Sequence, residues 1–172
     1  MAATYDFLGK VTASGSAAVM TLSGIPQTHK DIEFIFQARS VAGNAASGAD
    51  ITLNGDTSSV YHQTAWLKNG TTMYGQQQAN IAHFDIGFGQ GPATGDGMMG
   101  FTRIYISDYA SAVDHPGIYQ STSWDNNSTG AMHWGGNLYA PGSPAAITSV
   151  TWTGVYNIEA NCGICAYGIN YS

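Results

Sequence analysis

Between Ile32 and Arg39 the chain reads Ile-Glu-Phe-Ile-Phe-Gln-Ala-Arg. Ile32, Phe34, Phe36 and Ala38 fall on one parity, and Glu33, Ile35, Gln37 and Arg39 on the other. Strand side chains repeat every two residues, so this pattern describes a strand with one face fully buried and the other partly covered. A helix would scatter the same residues around its axis.

Weaker versions of that alternation recur along the chain. They mark Thr4 to Leu8, Ala17 to Leu22, Ile51 to Leu53, Val60 to Leu67, Ile81 to Phe88, Met99 to Ser107, Ile118 to Trp124, Met132 to Tyr139, Ile147 to Thr153 and Cys162 to Ile169. Met99 to Ser107 is apolar on both parities, as expected of a central strand covered on both sides. Turn chemistry separates the runs: Gly24-Ile25-Pro26, Asn54-Gly55-Asp56, Asn69-Gly70, the polar run 125–130, and Pro141 to Pro144. Asn-Gly is the strongest of these, because it supplies the positive φ angles of a tight turn. Residues 40–50, 71–78 and 89–97 read as loops, and Asp108 to His115 as one helical turn before Pro116. No apolar period of 3.6 persists for ten residues. About ten short strands without crossover helices predict an all-β chain: an antiparallel two-sheet sandwich, jelly-roll-like, with an up-and-down barrel as the weaker alternative. A length of 172 residues fits one domain over 1–172.

Composition narrows the function classes. Only 9% of residues are charged, well under the roughly 25% of ordinary soluble domains, so the surface is polar but nearly uncharged. With 44% hydrophobic residues the chain is not disordered. The net charge of −6 provides no basic patch, which argues against nucleic acid as a partner. No run of about 18 apolar residues suits a membrane span, and the N-terminus lacks the layout of a signal peptide. The expectation is a soluble protein made in the cytoplasm of its host. Lysine occurs only at positions 10, 30 and 68. Sandwich edges are commonly guarded by such charges, and edges this bare suit covering by neighbouring subunits.

Chemistry-bearing motifs are sparse. Cys162 and Cys165 have redox-motif spacing but lie in strand-like sequence, where side chains three residues apart point to opposite faces; they read as two ordinary buried thiols. Gly95 to Gly100 spells a dinucleotide fingerprint, yet a strand follows where a helix is required. His83 and Asp85 would share a strand face, as an acid–base pair or two metal ligands need, although a satisfied polar face on a half-exposed strand is the commoner reason for such a pair. Asp50, Asn54 and Asp56 offer oxygen ligands without the spacing of a calcium loop. Two Glu beside nine Asp nominate no glycosidase pair. No catalytic residue, cofactor or metal is expected. Trp124, Trp134 and Tyr119 lie near Asp125, Asn126 and Asn127, and aromatic faces beside amides are what sugar-binding surfaces offer. The possible ligand residues are therefore Trp124, Asp125, Asn127 and Trp134; core tryptophans in strands are the plainer reading of the same positions.

Several segments look familiar. Tyr5-Asp-Phe-Leu-Gly-Lys-Val11, Ile25-Pro26 through Phe34 to Ala38-Arg39-Ser40, Leu53-Asn54-Gly55-Asp56 through Tyr61, Ala146-Ile147-Thr148-Ser149-Val150 through Gly154, and Ala166-Tyr167-Gly168-Ile169 together resemble a β-rich domain of tailed-bacteriophage virion proteins. The similarity runs in order over nearly the whole chain. The family includes stand-alone capsid or tail proteins and terminal modules of longer tail proteins; without an additional domain or shaft in its 172 residues, this chain is expected to be of the stand-alone kind. The resemblance implies a structural virion protein located in the virion, foremost a head decoration or cement protein. Its implied partners are the major capsid protein or another virion protein, and further copies of itself. A tail-tip or fibre module that binds a host glycan or receptor is the alternative.

Overall fold

The computed structural model describes residues 3–41, 46–69, 71–90, 99–124 and 130–171. Among the described residues twelve strands are present: β1 (Ala3–Thr12), β2 (Ala17–Ser23), β3 (Asp31–Ala38), β4 (Ala46–Leu53), β5 (Tyr61–Asn69), β6 (Thr72–Ile81), β7 (Phe84–Gln90), β8 (Gly100–Ile106), β9 (His115–Trp124), β10 (Gly130–Tyr139), β11 (Ser149–Ile158) and β12 (Gly163–Tyr171). They form an eight-stranded sheet in the order β1-β12-β3-β8-β9-β10-β5-β6 and a four-stranded sheet in the order β2-β11-β4-β7. Every pairing is antiparallel. The pairs β1·β12, β2·β11, β3·β8, β4·β7 and β5·β6 are nested, like a long ribbon doubled back on itself. Rolling that ribbon brings β12 beside β3, β11 beside β4 and β10 beside β5. This is the jelly-roll course of an antiparallel sandwich.

Parity decides which side chains meet between the sheets. Ile32, Phe34, Phe36 and Ala38 are wholly buried, as the alternation of β3 requires. From the smaller sheet, Ile51, Leu53, Val150 and Trp152 face them. The rings of Phe36 and Trp152 are 5.6 Å apart between centroids, which ties β3 to β11 across the interior. Burying each such side chain stabilises the fold by roughly 1.5–3 kcal/mol before conformational entropy is counted. Tyr61 adds an internal polar tie: its hydroxyl accepts from the Leu53 amide at 2.9 Å and donates to the Asp56 carbonyl at 2.8 Å, while its ring meets Phe84 edge-on at 4.8 Å. The Asn54-Gly55 turn has φ of 54° and 67°, the left-handed conformation anticipated from that dipeptide.

Five local readings are corrected. Residues 46–50, read as part of a loop, belong to strand β4. Residues 72–81 form strand β6, not a loop; nearly every side chain on it is wet, so no apolar alternation marks it. Ile81 to Phe88 is not one strand, because the chain bends at Ala82 and His83 between β6 and β7. From Asp108 the chain makes a turn and not a helical segment, with the Ser111 amide bonded to the Asp108 carbonyl at 3.0 Å, and His115 already opens β9. Finally, β8 is covered on one face only: Thr102, Ile104 and Ile106 are buried, whereas Arg103 is exposed on the other side.

Candidate functional site

The outer face of the eight-stranded sheet holds the candidate site. Register aligns its outward side chains in rows that run across the strands. One row is Arg103, Gln120, Trp134, Trp66 and Gly75; the next is Tyr105, Ile118, Gly136, Thr64 and Gln77. Over β8, β9 and β10 these rows enclose a groove of about 620 Å³ lined by Arg103, Tyr105, Ile118, Gln120, Met132 and Trp134. That volume lies within the range of roughly 300–1,000 Å³ typical of small-molecule sites. Trp134 is half-buried in the groove, while Ile118 is 64% exposed at its floor.

The polar groups around the groove are fixed from the neighbouring strand. Arg103 Nε donates to the carboxylate of Glu33, which is itself buried on β3. That hydrogen bond, ahead of the other influences, raises the guanidinium's pKa and keeps it charged. Tyr105 donates its hydroxyl proton to Asp31, whose other oxygen accepts from the Asp108 amide at 3.0 Å. The groove therefore presents an indole, aliphatic side chains, an amide and a guanidinium whose charge is already balanced. Such a surface can stack a ring and hydrogen-bond neutral polar groups; it offers no activated nucleophile.

The predicted ligand residues fare unequally. Trp134 belongs to the groove, so the plainer core reading is wrong for it. Trp124 ends β9 opposite Gly130, and its side chain lies outside what is described. Asp125 and Asn127 lie outside the described residues. Tyr119 also borders the groove, but its side chain is buried: it opposes Gly135 while Trp134 opposes Gln120, which puts the two side chains on opposite faces. Arg103, Ile118, Gln120 and Met132 were not nominated from sequence. Their shared outward parity becomes visible only once β8, β9 and β10 are aligned.

Other candidates are drawn into structural contacts. His83 contacts Asp50 at 3.2 Å, and its place in a bend separates it from the Asp85 parity argument. Asn54 is engaged by the backbone of Ala146 and Thr148, and Asp56 by Ser58 and Tyr139. Asp50 and Asn54 are four residues of extended chain apart, about 13 Å, so the proposed oxygen ligands do not converge. Among the described residues no group of three or more His, Cys, Asp or Glu is placed to hold a metal ion. Cys162 is buried, with the Arg39 amide directed at its sulfur at 3.1 Å, whereas Cys165 is only half-buried; the expectation of two buried thiols holds for the first alone. The fingerprint-like run Gly95 to Gly100 lies largely outside the described residues, and Gly100 opens β8.

No known protein family matches the chain, and no characterised protein sequence does. Among solved structures, the crystal structure of the Caenorhabditis elegans galectin LEC-6 is similar at 8% sequence identity, covering 94% of this chain and 96% of that one, with a TM-score of 0.30. At that level no property of the galectin is transferred to this chain.

Proposed function

We propose that this chain is a non-catalytic structural protein of a tailed-bacteriophage virion, a head decoration or cement subunit that binds the shell and assembles with copies of itself. The observation that carries the reading is strand β6. It forms an open edge of the larger sheet for ten residues, Thr72–Ile81, without one charged side chain. Met73 and Tyr74 are exposed on it, and its bulge, with Asn80 at φ 56°, comes only at its end. Edges of this length are ordinarily protected by charge, proline or an early bulge, and an unprotected one suits pairing with another chain. The segments that resemble virion proteins point the same way. Burial of roughly 1,200–2,000 Å² of such surface is sufficient for a stable contact.

The test is co-sedimentation of the purified protein with undecorated phage heads, beside its own sedimentation behaviour. Attachment should survive moderate salt, because the contact is poor in charge. A Met73→Lys, Tyr74→Lys double variant should keep the fold and lose attachment. A protein that stays monomeric at high concentration and never binds a particle overturns the proposal.

One observation favours the alternative, a tail module that holds a host glycan: Trp134 sits in an open groove beside amide and guanidinium donors. The two readings use different parts of the sheet, the open edge of β6 at Met73 and Tyr74 and the outer face around Trp134.

A further inference from the structure

The groove does not stop at β10. A second depression of about 260 Å³ lies over β10, β5 and β6, where His62, Thr64, Gln77, Gly136 and Leu138 line it. Ile118 of the first depression and Thr64 of the second are both register partners of Gly136. Gly136 has no side chain, and a Cβ placed there would meet only the Gly117 carbonyl at 3.9 Å, so nothing walls one depression from the other at that row. The result is a trough that crosses five strands, with an aromatic and aliphatic half and a half rich in amide, hydroxyl and imidazole groups.

We infer that this trough is a binding site for a neutral oligosaccharide, one sugar ring packed on Trp134 and the chain continuing over Gly136 toward Thr64 and Gln77. The inference rests on the receptor-binding reading and deepens it. Three observations select the occupant. A half-buried indole lining an open groove offers apolar contact to the C–H face of a pyranose, with a polar rim beside it. Gln120, Gln77, Thr64 and His62 are donors and acceptors suited to hydroxyl groups, which themselves both donate and accept. The charge suits an anion poorly, since the guanidinium of Arg103 is already matched by Glu33 and Lys68, in register with Met132 on the same face, is a single cation at one end. A phosphate or nucleic-acid ligand would find no free cation cluster here. An apolar peptide would leave the amide-lined half without partners. The elongated form, two unequal depressions in line, fits a linear chain of several sugar units better than one compact ligand.

The experiment screens the intact protein against immobilised neutral oligosaccharides of glucose, galactose and N-acetylglucosamine, with sialylated chains as the anionic arm, and follows hits by tryptophan fluorescence titration. Saturable binding of a neutral oligosaccharide is expected, tighter for a tetrasaccharide than for a disaccharide. Trp134→Ala should weaken both by about tenfold or more. Gln77→Ala should remove the advantage of the longer chain and leave the disaccharide unchanged. Ile118→Arg supplies a second test should Trp134→Ala fail to fold: Ile118 is already exposed, and the longer side chain blocks the trough without disturbing the core. Binding of sialylated chains alone, or glycan binding that survives both Trp134→Ala and Ile118→Arg, overturns the inference and leaves the glycan-binding reading standing. Failure of the folded protein to bind any glycan at millimolar concentration overturns both. The β6 variants described above should leave saccharide binding unmoved.

Discussion

Trp66 and Trp134 are direct partners in the ladder between β5 and β10, both on the outer face of the larger sheet. Neither helps to fill the interior, where Trp152 is the buried tryptophan among the described residues. The contrast sets the first prediction. Trp66, 56% exposed, should cost no more than about 1 kcal/mol when replaced by Ala, the scale of a cross-strand pair. Trp152→Ala opens a cavity against Phe36 and should cost about 3–5 kcal/mol. Urea unfolding of the two variants measures both values, and similar losses would contradict the assignment of faces.

Tyr61→Phe should destabilise the protein by about 1–3 kcal/mol although the ring is retained, because the buried Leu53 amide loses its acceptor. Hydrogen exchange at Leu53 should accelerate with it. A variant as stable as the parent would show that the hydroxyl is dispensable.

Alkaline pH offers a third measurement. Burial first, and then the nearby Asp56 carboxylate, push the Tyr139 hydroxyl up to about 12. Burial also raises Tyr61 and Tyr119. A group whose folded pKa exceeds its unfolded value near 10 contributes stability that is fully present below about pH 10 and is lost as pH rises through the folded value. Thermal stability should therefore decline above about pH 10. The tyrosinate absorbance should show a late-titrating set that shrinks in Tyr139→Phe. Titration of every tyrosine near pH 10 in the folded state would refute this.

The cysteines should differ in reactivity. Burial raises the Cys162 thiol, and the Arg39 backbone encloses it, whereas Cys165 is half-exposed between Lys10 and Ile35 in register. Thiol labelling of the native protein should modify one cysteine quickly and the second only on unfolding, with the quick phase absent from Cys165→Ser. Equal rates for both would be the contrary result.

How much of this was legible before the strands were paired depends on what each signal reports. The burial of Ile32, Phe34 and Phe36 was legible, because one parity was entirely apolar and a slip of one residue would have reversed it. The Asn54-Gly55 turn was legible because backbone sterics act locally. β6 was not, since an edge strand wet on both sides carries no alternation to detect. Trp134 was misjudged for a related reason. Its strand has large side chains on both parities, Trp134 on one and Tyr139 on the other, and parity alone does not say which of them faces inward. Ile118 misleads similarly, an apolar residue that points to solvent while Tyr119 beside it is buried. The trough is a property of rows that run perpendicular to the chain, assembled from segments as distant in sequence as Thr64 and Gly136, and no reading along the sequence displays it.

β12 lies between β1 and β3 in the finished sheet. A ribosome releases the chain from its N-terminal end, so the slot between the first and third strands stays vacant until Tyr171 has emerged from the exit tunnel. The earlier strands must wait, unpaired at that seam, until β12 has been made. Closure of the sheet is consequently a late event, slow in the manner of folds whose partners are distant in sequence. A nascent chain stalled before position 163 would expose the greasy flank of Phe34 and Phe36 to whatever chaperone, or sister polypeptide, reaches it first.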